Sequence, residues 1–502
     1  MAPVVVKGTA VPAPEPVAEP MGFSHPTSGT QVASGADDHP QDAPKTGCND
    51  FIWAILLYGN VAAIAAVAAV YGPGSFGEAD SSSGYDYTGY VWAGLILAVI
   101  SVILSGVGLG MNMCCPELMI KLGLLFVVIM SGVWMVLSFL AGQWFMGILG
   151  VIFFLIGICY ARAVWSRIPF AAVNMITSAT AIKANLGSIL WAYIFTALLV
   201  GWIVLWSISF AGVFNNTYNC DANGANCDVN YGFLFLLFVS FFFTQQVMQG
   251  CIHVMIAGTV ATWWVAPEES GCCGKGICNS VIRTLTTSFG SICFGSLLVA
   301  IVQALRALAN SARQNGDAGI LACIAECILA CLASILEYFN KWAFIYVGVY
   351  GYPYLTAGRN VMQLFADRGW EAIIADDLVG NALMLTSLVV GLTMGGIGVA
   401  IDRTTDFFET AGGNATAVSF FIGFIVGTAI ASVMLSTVAS GVNTVIVMFA
   451  DSPGTSIVCG CVGERVCRFL DLRELSFFFF SMDNSPLLPL ACDYFSSSPV
   501  PV

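Results

Sequence analysis

Glu337 and Lys341 stand four residues apart in a run otherwise made of apolar and aromatic residues. On a helix that spacing lets a carboxylate and an ammonium face each other. Charged groups inside long apolar runs are costly, and they mark either internal pairs or pathways. Both readings stay open for Glu337 and Lys341: a structural pair that neutralises itself, or part of a route for a solute. Aromatic residues recur every fourth position through the same stretch, at Tyr338, Trp342, Tyr346, Tyr350 and Tyr354. Four residues overshoot one helical turn, so the row winds by about 40° per step. Three consecutive members can share a face, and Tyr338, Trp342 and Tyr346 are the trio beside the charges. Aromatic faces hold cations, quaternary ammonium groups above all, through the ring quadrupole. Packing between helices is the competing reading, with Tyr350 and Tyr354 in an interfacial belt.

A second polar group runs Thr244, Gln245, Gln246, Gln249 and His253. Hydrogen bonds between helices account for it, and so does the lining of a hydrated cavity. His253 has the chemistry to carry a proton near neutral pH, or to serve as a satisfied structural histidine. Ser288, Gly290, Ser291, Gly295 and Ser296 make a small-sided stretch suited to close helix contact.

The elements that position these residues are apolar runs of a particular length. Ten of them fill residues 51–449, at 51–71, 90–111, 119–141, 143–160, 187–213, 231–264, 285–311, 320–355, 377–401 and 417–449. A bilayer core takes about 20 apolar residues as helix. Of all residues 58% are hydrophobic and 9% charged, with a mean hydropathy of +0.84, against about 25% charged in soluble domains. The runs are too long and too uniform for barrel strands. The expected fold is all-α: a polytopic membrane protein, one bundle of about ten transmembrane helices. Residues 51–453 form the membrane domain, with a polar tail at 1–50 that reads as disordered and a second tail at 454–502. No cleavable leader is expected, since no apolar core lies near Met1. The run Phe477–Phe480 is too short to span.

Placing the N-terminus in the cytoplasm puts 13 of the 17 Lys and Arg on the cytoplasmic side and 3 on the other, as the positive-inside rule requires. An even number of spans then returns the C-terminus to the cytoplasm. The sequons at Asn215 and Asn414 both fall on the outer side, as does the close pair Cys220 and Cys227, which could form a disulfide there. Other cysteines, among them Cys114, Cys115, Cys272, Cys273 and Cys278, fall inside, where S-acylation or free thiols are the readings. No histidine accompanies them, and no metal is expected. The net charge of −13 and the lack of a basic tract argue against nucleic acid as a partner. No phosphate-binding GxxxxGK[ST] loop is present, because Gly274-Lys275 is followed by Gly276. No cofactor is implied.

Several of these stretches resemble a known family in order. Glu337-Tyr-Phe-Asn-Lys-Trp-Ala-Phe-Ile-Tyr-Val-Gly-Val-Tyr-Gly351, continuing through Thr356-Ala-Gly-Arg-Asn360 and Asp377-Leu-Val-Gly380, is similar to the central segment of the choline transporter-like family. Thr244-Gln-Gln-Val247 with His253-Val and Ala257-Gly258 resembles its sixth helix, and Ser288-Phe-Gly-Ser-Ile-Cys-Phe-Gly-Ser-Leu-Leu-Val-Ala300 its seventh. Gly441-Val-Asn-Thr444 and Phe449-Ala-Asp-Ser-Pro453 stand near its closing pattern, although the acidic residue common there is replaced by Ala450 or Ser452. The likeness covers about residues 50–453, and the short first outer loop resembles the fungal, plant and protist branch. It implies ten helices with both termini cytoplasmic, in the plasma membrane or an internal one. It also implies transport of choline, ethanolamine or a related organic cation.

On that resemblance Tyr338, Trp342, Tyr346 and Glu337 would bind the cation, and Thr244, Gln246 and Ser291 the hydroxyl. His253 or Glu337 would couple protons. The membrane potential is the other source of drive. A non-transporting scaffold, an ion channel and an intramembrane lipid enzyme are the alternatives. The enzyme would need clustered carboxylates, and only Asp367, Asp376 and Asp377 approach that. Catalysis is not expected.

Overall fold

The computed structural model describes residues 48–75, 88–217, 219–220, 227–228, 231–272, 274–314, 319–368, 371–405 and 414–451. Both tails and the segments 76–87, 221–226 and 406–413 lie outside the described residues. Thirteen α-helices account for nearly everything described: α1 Phe51–Ser75, α2 Thr88–Cys114, α3 Pro116–Leu140, α4 Trp144–Val164, α5 Ile168–Ala184, α6 Gly187–Thr217, α7 Tyr231–Val265, α8 Lys275–Leu285, α9 Phe289–Gln314, α10 Gly319–Tyr350, α11 Tyr354–Arg368, α12 Glu371–Thr404 and α13 Ala415–Asp451. An antiparallel ladder joins Asn219–Cys220 (β1) to Cys227–Asp228 (β2).

Among the described residues, ten helices are long and apolar enough to cross a membrane, as expected from the sequence. In hydrocarbon every backbone polar group must find its partner within the segment, and an unbroken helix does this for each residue. Leu140 is 78% exposed and Phe145 75%; lipid is the solvent such surfaces fit. α4 packs mainly along α3 and turns most of its remaining surface outward.

Three helices were not expected. α5 follows α4 through a short 3-10 turn at Trp165–Arg167, α8 joins α7 to α9, and α11 joins α10 to α12. With spans alternating in direction, all three lie at the end of the bundle where α1 begins. The run 320–355 overshoots its helix by a few residues. α10 stops at Tyr350, Gly351 takes φ +73, a left-handed conformation open to glycine, and Pro353 starts the next helix.

The main core is built from α3, α5, α7, α9, α10, α12 and α13. A satellite cluster of Ile64, Trp202, Val213 and Leu237 joins α1, α6 and α7. Another, of Leu97, Val390, Met394 and Ala431, joins α2, α12 and α13. α10 packs along α9, α7 and α11 but scarcely touches α12. Polar side chains rather than close packing bridge α10 and α12, a groove bordered by Tyr160 near the end of α4.

Candidate functional site

Lys341 sits on α10 ten residues before Gly351, about 15 Å in from that end of the helix. Its ammonium does not pair with Glu337. It reaches across to α12, where Nζ lies 2.6 Å from Asp376 Oδ2. Glu337 instead accepts a 2.5 Å hydrogen bond from Gln303 Nε2 on α9. Solvation explains the exchange. Glu337 is exposed, while the Asp376 side chain is only 8% accessible. A desolvated carboxylate gains far more from an ammonium than one on the surface does.

The next residue, Asp377, points elsewhere, because successive helical residues are about 100° apart. Its side chain is exposed. Oδ2 accepts from the Tyr160 hydroxyl of α4 at 2.7 Å and from Asn381 Nδ2 at 3.5 Å. Tyr338 stands on α10 within electrostatic reach of Asp376 and Asp377, and Tyr160 is close enough to interact with it. Tyr338 and Trp342 meet edge to face, 6.2 Å between centroids. Trp342 is 1% exposed and Tyr346 5%, so of the expected aromatic trio only Tyr338 is part-exposed. Tyr346 packs on Tyr350 at 5.2 Å.

His253 of α7 ties the groove to the rest of the bundle. Its Nε2 is 2.7 Å from the Lys341 carbonyl oxygen and its Nδ1 2.7 Å from Ser440 Oγ on α13. A carbonyl only accepts, so Nε2 carries the proton and Nδ1 accepts from the serine hydroxyl. The neutral ring is satisfied at both nitrogens.

The other expected site residues lie apart from this groove. Thr244 accepts from Asn60 Nδ2 of α1 at 3.2 Å and donates to the Ser240 carbonyl at 3.3 Å. Gln246 is part-buried. Ser291, fully buried, donates to Asp50 Oδ2 at 2.8 Å, and the Tyr354 amide points at the same oxygen at 3.4 Å. Asn49 continues the knot, its amide N donating to the Thr287 carbonyl at 3.1 Å and its Nδ2 to the Gly351 carbonyl at 2.8 Å. The Tyr354 hydroxyl donates to Asn340 Oδ1, and Asn340 Nδ2 to the Gly295 carbonyl at 2.8 Å.

Tyr354 is 1% exposed and not in an interfacial belt; burial raises its phenol above the ordinary value. Nearby, the Arg283 guanidinium of α8 donates to the Gly348 carbonyl, and desolvation lowers its affinity for the proton. Gly348 and Gly258 let α7 and α10 close on each other there. A Cβ on Gly348 would lie 2.7 Å from the Val254 carbonyl oxygen.

Asn414 is exposed. The side chains of Asn215, Cys220 and Cys227 lie outside the described residues, although the backbones of Cys220 and Cys227 are register partners in the β1–β2 ladder. The sequence reading gave no role to Asp50, Tyr160, Asn340 or Ser440, and it named Tyr354 only as part of the aromatic row. Asp50 carried one legible signal, a polar Asn-Asp pair just ahead of the first apolar run.

Ten apolar helices of spanning length, two of them joined by a part-buried ion pair, define a multi-pass α-helical membrane protein. A family model described as plasma-membrane choline transporter matches residues 148–453. The chain belongs to the choline transporter-like family. It is 29% identical over 324 residues to Protein PNS1 of Eremothecium gossypii, an alignment covering 61% of this chain and 59% of the relative. It is 27% identical over 447 residues to Protein PNS1 of Cryptococcus neoformans, covering 82% and 79%. A CTL-like protein of Dictyostelium discoideum is 31% identical over 296 residues, covering 58% and 51%. The chain thus spans less than two thirds of the length of the Eremothecium and Dictyostelium relatives.

Proposed function

We propose that this protein carries choline, or a related small organic cation such as ethanolamine, across the plasma membrane by alternating access. The observation that carries the reading is the groove between α10 and α12. Inside a greasy bundle it gathers an ion pair, a second carboxylate and an aromatic edge. Groups of that cost persist in membrane spans where a charged or polar solute passes. Family membership supports the choice of solute. Tyr338 and Trp342 would offer ring faces to the ammonium group. The trio would be completed by Tyr346 if the helices part to admit it. His253 and Glu337 are the candidates for proton coupling, and Thr244, Gln246 and Ser291 for the solute hydroxyl in another state of the cycle. The membrane potential supplies about 2.3 kcal/mol per charge per 100 mV. The membrane unit is residues 51–453 between the tails 1–50 and 454–502, with both tails on the cytoplasmic side, where the basic residues concentrate.

Labelled choline uptake into proteoliposomes, with an imposed potential and with ethanolamine as competitor, tests this. Saturable uptake is expected. Trp342→Phe keeps an aromatic in the core and should raise KM about threefold through the weaker ring quadrupole. Vesicles that stay empty of choline and of competing amines would end the proposal. Unsaturable currents would replace it with a channel.

A further inference from the structure

Two adjacent carboxylates on α12 differ in how their charge is met. Asp376 is buried and neutralised by Lys341. Asp377 is exposed, and its partners are a phenol hydroxyl and a carboxamide, both neutral. Among the described residues no cation lies within ion-pair distance of it. The full negative charge therefore remains there, held by the Tyr160 phenol of α4 and within electrostatic reach of Tyr338 on α10. The groove already holds one ammonium group, that of Lys341, on the neighbouring carboxylate. A divalent metal ion is a poor match, since it needs several oxygen ligands and Asp376 is engaged. A monovalent alkylammonium ion suits one carboxylate among aromatic rings.

We infer that Asp377, with Tyr160 and Tyr338, is the recognition site for the ammonium group of the transported solute at the end of the bundle where α1 begins. This rests on the transport reading above. Lys341 keeps the charge of the site at minus one by occupying Asp376, which sets the preference for a single positive charge. The Tyr160 hydroxyl orients the carboxylate and leaves Oδ1 for the guest.

The test compares choline with 3,3-dimethylbutan-1-ol, its uncharged isostere, in the proteoliposome assay. For the unaltered protein choline should be the far better ligand. Asp377→Asn should raise the choline KM about tenfold, leave inhibition by the neutral isostere unchanged, and keep the maximal rate. Asp377→Glu should recover part of the loss. A merely structural role would weaken both ligands together, and that result, like unchanged kinetics, overturns the inference. If Asp377→Asn does not yield monodisperse protein, Tyr160→Phe decides: a selective rise in choline KM supports the site, and an unchanged ratio overturns it. If the unaltered protein takes up no choline, the transport reading falls separately. Binding of labelled tetramethylammonium to the solubilised protein then judges the site, which stands if Asp377→Asn abolishes it and falls if the unaltered protein shows none.

Discussion

The knot at Asp50 and the groove at Asp377 are both built on an aspartate, and they use it in opposite ways. At the knot, the carboxylate is taken up by Ser291 and the Tyr354 amide, Tyr354 by Asn340, and Asn340 by Gly295. The steps link the residues before α1 to α9 and α11, α11 to α10, and α10 back to α9. At the groove, the helices stand apart, and Asp377 meets only neutral donors. The contrast separates polarity that holds the bundle from polarity left available to a guest. Buried polar groups must be satisfied internally in lipid; those that can still accept a cation lie where the packing opens.

The largest effect expected is at the one place where the groove is also structural. Lys341→Met leaves Asp376 buried and unpaired, a loss of about 3–5 kcal/mol. It should appear as a steep fall in melting temperature by fluorescence-detected gel filtration. Adding Asp376→Leu should restore most of it, and a double variant no better than the single would break the assignment. Asp50→Ala strands Ser291 and the Tyr354 amide and should cost about 2 kcal/mol in the same assay. Little change in the choline KM of the surviving protein would keep the knot structural, and a shift would bring Ser291 into contact with the solute. Tyr354→Phe keeps the ring among Phe294, Phe339 and Phe344 and removes one hydrogen bond, about 1 kcal/mol. Glu337→Gln should move stability by less than about 1 kcal/mol; an effect matching that of Lys341→Met would reinstate the i,i+4 pair.

The ten spans were legible because run length is a direct physical demand of the bilayer. The three extra helices were not. α5 is buried on most sides, with Asn174, Thr177 and Ser178 inside the core, so no polar face marks it. α8 is short, and it begins in a stretch whose cysteines and glycines read as loop. α11 lies almost wholly beyond the run 320–355, in a stretch too rich in polar residues to be read as a span, although Gly351-Tyr352-Pro353 was a visible break signal before it. The site was legible as chemistry but not as pairing. Glu337 and Lys341 satisfy the local rule, and nothing in local spacing ranks that pair against an aspartate 35 residues away. Only burial decides it. Thr244 and Ser291 were found as polar residues in apolar runs, but which neighbour takes up each hydroxyl depends on the fold.

Lys341 has one further consequence. Its main chain is gripped from α7 through His253, which also holds α13, and its side chain is gripped from α12. Four helices, α7, α10, α12 and α13, thus meet at a single residue. Movement of α10 relative to α12 falls on this junction first, because those two helices share almost no other packing, whereas α12 and α13 pack along their length. Strain between α10 and α12 concentrates on one ammonium–carboxylate contact, which acts as the fuse between them.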